Sequence, residues 1–398
     1  MTGNCAVSSD SDGQMAGLLA PLLGMAPPKQ TSLDAAAWDA LATGAVRERL
    51  GPLLHVALQR AGRTDVTAAV QTLLAQTYCR AAAATLYQQQ ELAAILHGCA
   101  AQNIPCIVLK GAALAATLYP DPALRPHGDL DLLFHPQDIP QVVEILHARG
   151  YTSRIGARPG ARLPRTSNEY HFSRSGQQPA IVEPHWHITS NAYYARRIPV
   201  CLWWTATVTA AIGGATAAVL TPPMQFLHLV AHYYLHYLGH HLLWSFDLAL
   251  LVQQGTSWDW KALAEQAFHL GLGPFVQAAL RLVERQWGVA APAGAKTALA
   301  CGRTDYGTRV AVWAARQPGS PTWMIWQAAY TPSPWLRLHL LARLALPSRA
   351  GVQRFRRGPE RRRIVGAYLQ RLVCLPFDLF DSGRQCWQLR QAPDRANL

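Results

Sequence analysis

The sequence predicts an α+β protein, with a small mixed sheet and its own helices set between an N-terminal and a C-terminal helical region. Three observations lead there. Apolar residues recur at three- and four-residue spacing from about residue 32 to 100 and again beyond 221. Between those stretches the texture changes to short β-rich runs closed by glycine or proline, such as IPCIVLK and DLDLLF. These runs alternate with helical segments, the pattern of an α/β unit. The chain of 398 residues therefore divides into a flexible N-terminus (1–31), a helical region (32–100), an α/β core (101–222), a second helical region (223–348) and a basic tail (349–398).

Each element has a local reason. Asp34 is placed to cap the helix carrying Trp38, and GPLLHVALQRAG and the long Ala-rich TAAVQTLLAQTYCRAAAATLYQQQELAAILHGCA continue the helical region. Ile104–Lys110 reads as a strand that meets Gly111 and then the helix AALAATLY. A proline-rich loop, PDPALRPHG, leads into the strand Asp129–Phe134, and the following helix has Asp138 as its expected cap. EYHFSR and AIVEPHWHI read as two further strands. Val200–Leu220 is long enough for a bilayer, but threonine at 205, 207 and 209 fits a strand with one polar face. Gly213-Gly214 then fits a hairpin turn, so no membrane span is expected. From Thr221 the pattern returns to helix, with His228, His232, His236 and His240 at four-residue steps.

Composition narrows the chemistry. Charged residues are only 15% of the chain and half of it is hydrophobic, which excludes a disordered protein. The net charge is +13, carried almost wholly by arginine, and suits an anionic ligand. Lysines stand only at 29, 110, 261 and 296, so Lys110 in a strand-to-helix turn is informative. The eight cysteines are scattered without a zinc spacing, and the first residues, MTGNCAVSSDSDGQMAG, carry acids where a secretion signal needs bases. A cytoplasmic protein with free thiols is expected.

RPHGDLDLLF poses the chemical question, because two carboxylates stand at the threshold of an apolar run. On a strand, residues i and i+2 point to one side. Asp129 and Asp131 would project together, with Leu130 and Leu132 turned into the core. Two like charges held so close call for a cation, and Mg²⁺ bound by carboxylates and substrate phosphates is the expected one, with Mn²⁺ as its substitute. Lys110-Gly111 at a helix start offers backbone N–H groups, a close approach and a positive charge to a phosphate. Arg125 and Gly128 flank the aspartates in the same loop, Arg125 as a second phosphate clamp. Glu183 is the candidate third carboxylate, as a further metal ligand or as general base. His185 and His187 alternate around Trp186 and are expected to line the pocket. Among the helical histidines His232 is the best placed to meet substrate, and Asp247 is an acid expected to pair with one of them.

The segments PLLHVALQRAG, KGAAL, RPHGDLDLL, VEPHWHI and LHLVAHYYLH…LLWSFDLALL resemble, in that order, the uncharacterised nucleotidyltransferase family of the polymerase-β-like superfamily. The resemblance implies a nucleotidyltransferase core. It also implies that Asp129 and Asp131 are the metal-binding pair and Glu183 the third acid. Lys110-Gly111 stands where the wider superfamily has Gly-Ser, so the superfamily's phosphate-touching serine is absent. The expected activity is Mg²⁺-dependent transfer of a nucleoside monophosphate from a nucleoside triphosphate to a small molecule, sugar or peptide. The alternatives are glycosyl transfer from a nucleotide-sugar and a non-catalytic module that binds RNA or a protein partner. Nucleic acid is the less favoured partner.

Overall fold

The protein is described by a computed structural model covering residues 5–27, 33–153, 157, 163–164, 167–176, 180–235, 241–315, 321–331, 333–345 and parts of 376–391. Four helices lead into the sheet: α1 (Cys5–Leu22), α2 (Ala35–Arg47), α3 (Gly51–Arg60) and α4 (Ala68–Ala101). The Asp34 side chain caps α2 by accepting from Ala37 N–H at 2.8 Å. The segment expected to be flexible contains α1, whose Ala16, Leu19 and Ala20 are buried. At 34 residues, α4 is about 50 Å long by the helical rise.

The central region runs β1 (Ile107–Val108), α5 (Lys110–Thr117), β2 (Leu130–Leu133), α6 (Ile139–Ala148), β3 (Thr152–Ser153), β4 (Phe172–Arg174) and β5 (Ala180–His185). It closes with the short helices α7 (Ala192–Arg197) and α8 (Cys201–Trp204) and the hairpin β6 (Thr207–Ile212) and β7 (Ala215–Leu220). The strands form one mixed sheet in the order β3-β4-β5-β2-β1-β7-β6. β2 runs parallel to β5 and antiparallel to β1, and β1 runs parallel to β7. Gly213 and Gly214 both have positive φ, 58° and 82°, as the tight turn between paired Ile212 and Ala215 requires. Thr205, read from sequence as part of a strand, instead caps the short helix α8, so β6 starts at Thr207. Asp138 precedes α6 but makes no side-chain cap bond.

Helices complete the chain: α9 (Pro222–Leu235), α10 (Leu242–Gln254), α11 (Trp260–His269), α12 (Gly273–Trp287), α13 (Ala293–Ala300), α14 (Tyr306–Ala315), α15 (Pro321–Tyr330) and α16 (Pro334–Ala345). Among the described residues no helix is long and apolar enough to cross a membrane. The basic run RFRRGPERRR and residues His236 and His240 lie outside the described residues.

Among the described residues, two apolar cores result. One joins α1–α4 to α9–α13, with Trp38, Trp203 and Trp287 fully buried. The other lies between the sheet, α6 and the C-terminal half of α4, and takes Leu92, Ile95, Leu130, Leu132 and Val182. α4 enters both, since Val70 and Leu74 belong to the first. It therefore fixes the sheet against the helical regions.

Candidate active site

The β1–α5 turn is the first fixed point. Lys110 begins α5 with φ 42°, a left-handed conformation uncommon outside glycine. Gly111 follows because nothing larger fits: a Cβ there would stand 2.6 Å from His127 Cβ and 2.9 Å from Arg125 Nη1. The RPHG loop thus lies directly on the turn. α4 holds that loop from behind, with Tyr78 OH donating to Asp121 Oδ2 at 2.7 Å and Gln88 Nε2 donating to the His127 carbonyl at 2.9 Å.

The second fixed point is strand register. In the parallel β2–β5 pair, Asp131 stands opposite Glu183 and Leu133 opposite His185. With Leu130, Leu132 and Val182 in the core, the intervening Asp131 and Glu183 face the other side of the sheet. Their faces meet Glu169 and His171, from the segment entering β4, and these two residues complete a ring that closes where His185 Nε2 lies 3.9 Å from Glu183 Oε2. His185 Nε2 bonds Asp131 Oδ1 at 2.8 Å and His185 Nδ1 bonds Glu169 Oε2 at 2.9 Å. His171 Nε2 then lies 3.4 Å from Glu169 Oε1, and His171 Nδ1 bonds Glu183 Oε1 at 2.7 Å. Lys110 Nζ adds a third cation, 2.7 Å from the same Asp131 Oδ1.

The electrostatics follow from this alternation of acids and bases. Burial alone would lower the pKa of His185, but its bonds to Asp131 and Glu169 outweigh that and raise it to about 9. His171, bonded to Glu169 and Glu183, is raised to about 10. Burial disfavours the Asp131 carboxylate, yet Lys110 and His185 hold it well below the ordinary range. Burial likewise opposes ionisation of Glu169, and His171 and His185 overcome it. Asp129 is different. Burial and the nearby charges of Asp131 and Glu183 push it up to about 6. Among the described residues, four carboxylates thus face these three cations, and Asp129 is the one left short of a partner.

These groups line a cavity of about 570 Å³, within the usual range for a small-molecule site. Lys110, Gly111, Arg125, Asp129, Asp131, Glu183, His185 and His232 all border it. Gly128 does not, and a Cβ there would meet nothing within 4 Å. Arg125 is a correction in its chemistry. Its guanidinium is buried against Asp247, with Nη2 2.8 Å from Oδ2, while Tyr119 OH donates to Asp247 Oδ1 at 2.6 Å. Asp247 therefore pairs with Arg125 instead of a histidine, and Arg125 is no free phosphate clamp.

His187 is a second correction. β5 ends at His185, alternation stops there, and His187 Nε2 donates to the Ile198 carbonyl at 2.9 Å, away from the cavity. His232 stands with its ring 4.9 Å from that of Trp244. His228 is buried against Trp203, and burial and Lys110 push its pKa down to about 3.

The residues read from sequence omit Glu169 and His171, although the signal was present: in EYHF, Tyr170 and Phe172 alternate with them and are buried. They also omit Arg49, which lines the cavity from the α2–α3 turn and has no sequence pattern to mark it.

The donor set is suited to a divalent cation. Asp131, Glu183 and His185 place ligand atoms within 4.8 Å of one another, and because both His185 nitrogens are bonded to carboxylates the two acids supply the donors. Both bonds to Asp131 fall on Oδ1, and Oδ2 accepts none among the described residues. Asp129 lies outside this close group but borders the same cavity. Carboxylate oxygens dominate, as hard cations such as Mg²⁺ prefer.

A family model described as uncharacterised nucleotidyltransferase matches residues 34–288, and the chain belongs to that family. Among solved structures, the chain is similar to an antigenic nucleotidyltransferase-like protein from Paracoccidioides brasiliensis. That match has 17% identity and a TM-score of 0.35, over 52% of this chain and 95% of the other. No curated protein matches the chain.

Proposed function

We propose that the protein transfers a nucleoside monophosphate from a nucleoside triphosphate to an acceptor hydroxyl and releases pyrophosphate. The observation that carries this reading is the meeting of Asp129, Asp131 and Glu183 in one cavity beside the Lys110 turn. Membership of the uncharacterised nucleotidyltransferase family supports it. Asp129, Asp131 and Glu183 would hold a divalent ion, Mg²⁺ or Mn²⁺, which when bound neutralises phosphate charge and polarises the phosphoryl group.

The chain's own residues do the rest. Asp131 is pinned by Lys110 and His185, so its free oxygen keeps one direction before any ligand arrives. His171 holds Glu183 through Oε1. Glu183 orients the acceptor hydroxyl and takes its proton as the oxygen attacks the α-phosphorus. The bond from the α-phosphorus to the bridging oxygen breaks, and pyrophosphate leaves with that oxygen. The closed ring of imidazoles and carboxylates keeps these groups in place, so little reorganisation accompanies the reaction.

The test is direct. The full chain is incubated with each nucleoside triphosphate, Mg²⁺ and sugar, peptide or small-molecule acceptors. Pyrophosphate appears and the acceptor gains the mass of a nucleoside monophosphate, and both are lost in Asp129→Ala with Asp131→Ala. Consumption of a nucleotide-sugar with release of its nucleotide would replace this reading by glycosyl transfer. Partner binding that survives the double substitution, without turnover of either donor, would replace it by a binding module.

A further inference from the structure

We infer that Arg49, from the N-terminal helical region, holds the polyphosphate tail of the triphosphate. This rests on the transferase reading above and adds the residue that recognises the leaving group. Among the described residues, three arginine or lysine side chains line the cavity: Arg49, Lys110 and Arg125. Lys110 is paired with Asp131 and Arg125 with Asp247. Arg49 makes no ion pair or side-chain hydrogen bond among the described residues, and it is exposed. A polyanion entering a cavity floored by carboxylates needs a cation not already neutralised. A guanidinium fork matches phosphate oxygens two at a time.

The backbone points the same way. Arg49 has φ 62°. It follows the last turn of α2, where Leu50 N–H bonds the Ala45 carbonyl at 2.7 Å and Arg49 N–H bonds the Val46 carbonyl at 3.1 Å. This is the helix-ending pair of bonds whose left-handed position is ordinarily glycine. Of the described non-glycine residues with positive φ (Arg49, Asn103 and Lys110), two carry cations that line this one cavity. Strained residues collect at functional sites when the surroundings hold them. Here the holding group is Glu48, whose Oε2 accepts from Leu242 N–H at the start of α10 at 3.1 Å. His241 and Trp244, on the same segment, border the cavity beside it.

Glycine at this position relaxes the backbone, so a structural role and a ligand role predict opposite outcomes. The probe is inorganic tripolyphosphate with Mg²⁺, titrated calorimetrically into the full chain. Arg49→Gly is expected to keep or raise the thermal midpoint while weakening tripolyphosphate binding about tenfold, the size of one charge-assisted hydrogen bond. Arg49→Asn, which also tolerates a left-handed backbone, is expected to weaken it equally, and Arg49→Lys to recover part of the loss. Wild-type affinity in either neutral variant, or no tripolyphosphate binding by the wild type, overturns the inference. Arg49-dependent binding without pyrophosphate release from any nucleotide leaves the anion site standing and removes the transferase reading. Turnover with an unchanged KM for the triphosphate in Arg49→Gly removes the Arg49 assignment alone.

Discussion

The cavity has two walls built by different means. The sheet wall takes Asp131, Glu183 and His185 from β2 and β5, where register alone sets Asp131 opposite Glu183. The helical wall takes Arg49 from the α2–α3 turn, Leu229, His232 and Leu235 from α9, and His241 and Trp244 at the start of α10. Nothing in its local pattern brings these together. Long-range ties do: Glu48 to the Leu242 amide, and Arg125 and Tyr119 to Asp247. The difference separates roles. The sheet wall concentrates charge, whereas the helical wall is assembled by tertiary contacts; under the proposed function the first would fix the chemistry and the second what enters.

The comparison can be strained hardest at Asp131. An uncharged amide in place of its carboxylate would leave the half-buried Lys110 and the buried His185 without their shared counter-charge. Asp131→Asn is expected to lower unfolding stability by about 3–5 kcal/mol and to abolish turnover. Urea denaturation checks the first effect. A loss of activity with stability unchanged would mean that the sheet wall is not held by this charge pairing.

The helical wall has its counterpart in Arg125–Asp247. Arg125→Met strands a buried carboxylate, and its expected stability loss is likewise about 3–5 kcal/mol. Adding Asp247→Leu should recover most of it, because replacing both charges by apolar groups is often near neutral. The double variant should also keep the KM for the triphosphate near wild type, since Arg125 is committed to Asp247. A large rise in KM in a well-folded double variant would return Arg125 to phosphate binding.

Asp129 gives a smaller effect of opposite sign. Its pKa is raised to about 6 in the folded protein from an ordinary value of 3.8. The folded state therefore disfavours its ionised form, and that penalty grows as pH rises from about 4 through 6 and then levels off. With metal chelated, Asp129→Asn should be more stable than wild type at pH 7.5, by about 1–2 kcal/mol, and equal to it near pH 4. Thermal unfolding at the two pH values checks this. Activity should be lost in the same variant, so stability and function part company at one side chain.

Much of the sheet wall was legible in the sequence because a strand has period two. DLDLLF sets Asp131 opposite in facing to Leu130 and Leu132, and both leucines are buried as that alternation requires. The Gly213-Gly214 hairpin was equally readable, because positive φ at two successive residues leaves few alternatives to glycine. The limits have physical causes. Alternation ends where a strand ends, so His187 leaves the cavity although it shares parity with His185. A loop arginine beside two acids looks like a phosphate clamp, and only the folded α10 shows Asp247 meeting it. Arg49 lies in a turn between two helices, where no periodicity operates and glycine would be the expected residue.

The most direct measurement is binding of Mn²⁺, followed by its electron paramagnetic resonance signal, with and without a nucleoside triphosphate. The account predicts that the wild-type chain binds the ion and binds it more tightly with nucleotide, and that Asp129→Ala with Glu183→Ala abolishes both. Failure of the wild type to bind Mn²⁺ even with nucleotide present would mean that Lys110, His171 and His185 already complete the charge of this site, and would contradict the account.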